Sequence, residues 1–208
     1  MVRVICTTQR LQFFNLHIVM IPELAAQVET VFDELDREIA LFQAGSTLHC
    51  KMGCGKCCFK PDIEATVLEF VPFALFLYRE GKAFEWLDRL RETKDSLCLI
   101  LNPTQAGAGL CSEYRHRGLI CRLFGYSART NKYDRKELVT CEIIKTEQAE
   151  AYDTAAKKIE AGGAVPVMNQ FYMRLHAIDA DLTRDFYPIN EAIKKAVELV
   201  LQYYRYRE

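Results

Sequence analysis

Cys50, Cys54, Cys57 and Cys58 fall within nine residues, in the run His49-Cys-Lys-Met-Gly-Cys-Gly-Lys-Cys-Cys58. Packing does not account for thiols this dense in a segment that is polar, cationic and glycine-rich. The chemistry they suggest is metal ligation. Structural zinc takes four thiolates tetrahedrally, and iron–sulfur clusters are also held by four. Gly53 and Gly55 flank Cys54 and, lacking Cβ atoms, let the backbone wrap closely around an ion or cluster. Their N–H groups can then point at sulfur. Lys51, Lys56 and Lys60 can offset thiolate charge, or be ordinary solvated loop charge.

The chain holds nine cysteines, the other five being Cys6, Cys98, Cys111, Cys121 and Cys141. Cys6 stands apart, and the remaining eight match the number needed for two four-coordinate sites. For Cys98, in the apolar run Ser96–Leu101, the alternative is a small buried hydrophobe, and the same alternative stands for Cys111, Cys121 and Cys141. A disulfide framework is disfavoured, because neighbours such as Cys57 and Cys58 rarely meet relaxed bridge geometry. Arg117 and Arg122 are candidate cofactor-binding residues, able to lower the net charge of a thiolate centre and to grip a carboxylate or phosphate. The bland alternative for them is a salt bridge to Glu113, Glu137 or Glu142. His49 and His116 are candidate ligands or bases, or simply exposed, and Tyr114 reads as a core residue. Thiolates suit zinc and iron alike. The vicinal pair and all-cysteine ligation favour an iron–sulfur cluster, [4Fe–4S] foremost, over zinc.

Cys50-x3-Cys54-x2-Cys57-Cys58, followed by Cys111-x2-Tyr114-x2-Arg117-x3-Cys121-Arg122-x-Phe124, resembles the cysteine-cluster family called CxxCxxCC, or YkgJ-type. Cys98 matches the family's cysteine ahead of the second block, and Cys141 the one after it. The resemblance covers about residues 45–145 and implies zinc or iron chelation by eight cysteines. Some relatives are flagellin lysine N-methylases, which implies S-adenosylmethionine-dependent methyl transfer as a third reading. Others carry an iron–sulfur oxidoreductase label, and a zinc-stapled interaction module without catalysis, meeting a protein partner, is the second. Three departures are visible: the first gap is one residue longer, and Gly118 and Gly125 stand where the family favours proline. Cys50-x3-Cys54-x2-Cys57 also matches the radical S-adenosylmethionine spacing, but the aromatic that usually precedes the third cysteine is Lys56 here.

Helices must position these residues. Ile21, Leu24, Ala25, Val28, Val31, Phe32, Leu35, Ile39 and Phe42 recur at helical spacing and predict a helix over 22–43, with Pro22 in its first turn and Gly45 near its stop. Asp62 predicts the cap of a second helix reaching Arg79, kinked or divided at Pro72. A third covers 83–92, with Phe84, Leu87 and Leu90 on one face. Ser96–Leu101 reads as a strand and 102–109 as a loop. Residues 110–145 read as irregular, with a hairpin partner near 138–141. Helices over 147–160, 167–181 and 190–204 follow. The expected fold is mostly α, with helices packed around an irregular cysteine-rich metal-binding core and at most a short β-hairpin.

Half of the 208 residues are hydrophobic, enough for a substantial core. Residues 20–208 read as a single domain. Residues 1–19 read as an N-terminal arm or an over-extended start, with Met20 just ahead of the first helix. The formal net charge of −1 gives no basic excess for nucleic acid. No apolar run suits a membrane span, and no signal peptide is expected. The cysteine usage points to the cytoplasm.

Overall fold

The structure, a computed structural model, describes residues 20–51, 54–94, 96–105 and 108–207. The expectations placed on residues 1–19, Cys6 among them, and on Gly53 lie outside the described residues.

The first helix, α1 (Ile21–Ser46), buries the nine apolar positions that its periodicity marks out. It stops at Thr47, whose left-handed backbone (φ 60°) lets its N–H reach the Gln43 carbonyl at 2.9 Å, so Gly45 lies within the last turn. Asp62 caps no helix. Glu64–Ala65 instead form a short strand, β1, paired with Tyr187–Pro188 (β6). A 3₁₀ turn at Leu68–Phe70 then leads into α2 (Val71–Arg79). Pro72 begins that helix rather than breaking it, because the first turn needs no N–H donor there. Helix α3 spans Ala83–Glu92, but Phe84 points to solvent and Trp86 joins Leu87 and Leu90 inside.

Strands β2 (Leu101–Gln105) and β3 (Ala108–Cys111) form a hairpin where a loop was expected, and the expected strand at Ser96–Leu101 is mostly a turn. A short helix, α4 (Leu119–Leu123), precedes a second hairpin of β4 (Ser127–Thr130) and β5 (Lys136–Val139). Helices α5 (Glu142–Glu147), α6 (Ala149–Glu160), α7 (Met168–Ile178) and α8 (Ile189–Arg205) close the chain. The architecture is mostly helical with three small antiparallel β-pairs. No described helix is long and apolar enough to cross a membrane.

The helices do not pack around thiols. Their centre is aliphatic and aromatic: α8 lies against α2 and α3, α1 against α2 and α7. Ala192, Ala196, Val197 and Val200 on α8 are fully buried beside Phe73 and Leu77 of α2. Amphipathic stripes of this width close on one another by the hydrophobic effect alone. A second, smaller apolar cluster gathers Phe42 and Leu48 with Ile144, Ala155 and Ile159. Leu35, wholly buried at the centre of α1, tests the core: Leu35→Ala should lower stability by about 2–5 kcal/mol in urea unfolding, and a loss below about 1 kcal/mol would contradict this packing.

Candidate metal centre

Cys98, Cys111 and Cys121 pack at the edge of the main core, and Cys141 packs against the smaller cluster. Cys50 is exposed just after α1, Cys57 and Cys58 sit on a 3₁₀ turn (Lys56–Phe59), and Cys98 lies in the turn before β2. Cys111 ends β3, Cys121 is in α4, and Cys141 precedes α5. Cys50, Cys54, Cys57, Cys58, Cys98, Cys111 and Cys121 line one cavity of ≈ 480 Å³ whose other walls include Ile63, Phe70, Ile100, Leu101 and Ile120. Cys141 is not in its lining but stands close enough to Cys50 to act on its charge. Among the described residues, no three Cys, His, Asp or Glu side chains are already drawn together as a metal site.

Backbone contact holds the loop to the hairpin. Gly55 adopts φ +54°, and a Cβ there would lie 2.3 Å from the carbonyl oxygen of Gly109 in β3. Only glycine combines that conformation with that approach. The turn carrying Cys98 is clamped by Asn190 in the first turn of α8, whose side chain accepts from Leu99 N–H at 2.8 Å and donates to the Leu97 carbonyl at 2.7 Å. The clamp explains why Ser96–Leu101 is not a strand: its polar backbone is taken by a side chain.

Glu69 holds α4. It is 1% exposed, accepts from Thr66 N–H (2.8 Å) and Thr66 Oγ1 (3.1 Å), and accepts the Ile120 N–H at 3.0 Å. The last bond satisfies an orphan donor at the start of the helix that carries Cys121. Gly118 stands beside it, where a Cβ would be 2.8 Å from Phe70 Cζ and 3.1 Å from Glu69 Oε2. A side chain at position 118 would therefore crowd both neighbours.

The two candidate arginines part company. Arg122 is buried and is not part of the cavity's lining. It pairs with Asp36 of α1, donates to the carbonyls of Arg115 (2.6 Å) and Arg117 (3.1 Å), and lies over the Phe32 ring. Its partner is none of the three glutamates expected, and Glu137 pairs instead with Arg129. Arg117 lines the cavity, its guanidinium carbon 3.6 Å from the centroid of Tyr114. Its Nε is buried without an acceptor among the described residues. Tyr114 is 64% exposed, so it is a platform for Arg117 and not a core residue. His116 stacks on Phe76 with centroids 4.3 Å apart, and burial lowers its pKa. His49 is exposed and is joined through its backbone to Gln148.

Electrostatics differ along the thiols. Cys57 and Cys58 have Sγ atoms 4.0 Å apart. The hydrogen bond they share lowers Cys57, and the same bond, with burial, raises Cys58. Burial raises Cys98 to about 11, against hydrogen bonds from the backbone N–H groups of Ile100 and Leu101. Burial also raises Cys111 and Cys121, where nearby Arg117 acts in the opposite direction. Tyr126, on the cavity wall, is raised to about 12 by burial first and by Cys50 second.

A family model described as "Putative zinc- or iron-chelating domain", CxxCxxCC, matches residues 49–155. The chain belongs to this family. The match runs from His49 into α6 and contains all eight described cysteines. No curated protein and no solved structure matches the chain. Sequence reasoning missed Glu69 and Asn190. Thr66-x-x-Glu69 has capping-box spacing, a local signal for Glu69, which accepts the Thr66 N–H. The bonds of Glu69 to Ile120 and of Asn190 to Leu97 and Leu99 join residues 51 or more apart, and no local pattern marks them.

Two outcomes test this construction. Gly55→Ala should loosen the loop from the hairpin, so that Cys58 and Cys111 alkylate faster while the far-UV circular dichroism of the helices is unchanged; equal alkylation rates would contradict the contact. Burial raises the Glu69 carboxyl from 4.5 to about 6. A carboxyl whose folded pKa exceeds its unfolded value contributes fully at low pH, and that contribution is lost as pH rises through this window. In metal-free protein, wild type should therefore lose about 2 kcal/mol relative to Glu69→Gln between about pH 4 and about pH 7 in urea unfolding. A pH-independent difference would contradict it.

Proposed function

We propose that this chain binds a transition metal through Cys50, Cys54, Cys57, Cys58, Cys98, Cys111, Cys121 and Cys141, as an iron–sulfur protein with a redox or electron-transfer role. One observation carries the reading. Seven of these thiols, delivered by a loop, a turn, a hairpin end and a short helix, face a single cavity. Buried cysteines recruited for packing alone would be scattered through the core, and here none of them is fully buried.

The donor set suits the group. Thiolates are soft ligands matched to iron–sulfur clusters and zinc. The hydrogen bond shared by Cys57 and Cys58 favours thiolate at Cys57. The N–H groups at Cys98 and at Cys111 offset anionic sulfur. Arg117 supplies a cation beside Cys57, Cys111 and Cys121. Ile63, Phe70, Ile100 and Ile120 give the same space an apolar wall. An iron–sulfur cluster bound there would supply one-electron chemistry, and burial with N–H donation would set its potential. Arg122 would act only indirectly, by tying α4 to the Arg115 and Arg117 carbonyls ahead of it.

One observation favours zinc as the second reading. Cys50, Cys54 and Cys98 lie on segments with little regular structure of their own, the kind of element that structural zinc commonly staples. The chain would then be an interaction module without catalysis. Anaerobic purification with iron, zinc and acid-labile sulfide analysis separates the two. Brown protein with iron and sulfide is expected, colourless protein with stoichiometric zinc selects the module, and no metal after reconstitution overturns both.

A further inference from the structure

We propose that the eight thiols divide into two four-thiol sets that meet at the vicinal pair: Cys50, Cys54, Cys57 and Cys141 in one, Cys58, Cys98, Cys111 and Cys121 in the other, each holding its own metal centre. The proposal rests on the metal-binding reading above and adds the number of centres and the membership of each.

The fold itself separates the sets. Cys98, Cys111 and Cys121 pack against the main apolar core, whereas Cys141 packs against the smaller cluster built on Phe42 and Leu48. Phe42 and Leu48 are on the segment that delivers Cys50. That segment is also pinned to the α5–α6 junction, where Gln148 accepts from His49 N–H at 3.1 Å and donates to the His49 carbonyl at 2.7 Å. Cys141 precedes α5, so Cys50 and Cys141 are held on the same body. On the other side, the Asn190 clamp, the β2–β3 hairpin and the Glu69-held α4 bring Cys98, Cys111 and Cys121 to one wall of the cavity.

Apart from Cys57, which acts on thiols of both sets, the charge neighbours agree with the division the fold makes. Cys50 faces Cys54, Cys57 and Cys141. Cys58 faces Cys121 and Cys98 in addition to its neighbour, and Cys121 faces Cys98 and Cys111. Cys57 is the border residue, acting on both Cys50 and Cys111. Its place on a 3₁₀ turn explains how adjacent thiols can serve different sets. At about three residues per turn, successive side chains point about 120° apart. One four-coordinate centre would leave four thiols unused beside it, whereas two centres use all eight.

The test counts metal. Cobalt(II) titration of reduced, metal-free wild type, followed by its thiolate charge-transfer absorption, should break at two equivalents; a break at one overturns the partition. Native mass spectrometry and elemental analysis of Cys57→Ser and Cys58→Ser, and of Cys141→Ser and Cys121→Ser, should each show half the wild-type metal. The Cys141→Ser/Cys121→Ser double variant should show none. Loss of all metal from either member of a folded single-variant pair would overturn the two-set division. Wild type that takes up no cobalt and no iron would instead overturn the metal-binding reading, an outcome distinct from a single break.

Discussion

The approach of Gly55 to Gly109 is the contact on which the cysteine region depends. Two backbones meet where a Cβ at Gly55 would be 2.3 Å from a carbonyl oxygen, so the loop rests directly on the β2–β3 hairpin. The hairpin is itself suspended from the helical body. Asn190 in α8 takes the Leu97 and Leu99 backbone groups, and that fixes the turn bearing Cys98 and the start of β2. A chain of short contacts thus runs from the main core through one asparagine and two glycines to the vicinal thiols. Side-chain packing sets the position of α8, but backbone geometry sets the position of Cys57 and Cys58.

Two buried charged residues do comparable work around α4, a helix too short to be stable alone. Glu69 receives its first N–H groups from one side, and Arg122 ties it to Asp36 and to the carbonyls ahead of it from the other. Burial of each charge is compensated by several hydrogen bonds, the condition under which such groups are tolerated inside proteins. With Arg122 committed to structure, Arg117 is the arginine that faces the thiols. Arg117 stacks on Tyr114 and lines the cavity, and its Nε has no acceptor among the described residues.

Where the sequence was legible, one periodic force was in command. The stripe from Ile21 to Phe42 closes on the core as its spacing predicts, and α3, α6, α7 and α8 follow the same logic. Pro72 was misleading because proline signals both a break and a first turn, and only the strand pair at Glu64–Ala65 shows which applies. The β2–β3 hairpin was hidden because Asn102, Pro103 and the glycines read as a loop, while pairing across it depends on the contacts that hold Leu101 opposite Cys111. Tyr114 looked like core by its type, yet its ring is mostly exposed and carries the guanidinium of Arg117.

By itself, the sequence determined the helical class, the family and the identity of the thiols, because helical periodicity and cysteine spacing are properties of neighbours along the chain. Tertiary structure alone decided that the helices close on an apolar core with Cys98, Cys111 and Cys121 at its edge. It also decided which arginine faces the cavity and that Glu69 and Asn190 hold the segments bearing Cys121 and Cys98. Those outcomes rest on hydrogen bonds and close approaches between residues far apart in sequence, and no local pattern encodes which distant backbone a carboxylate, an amide or a glycine will meet.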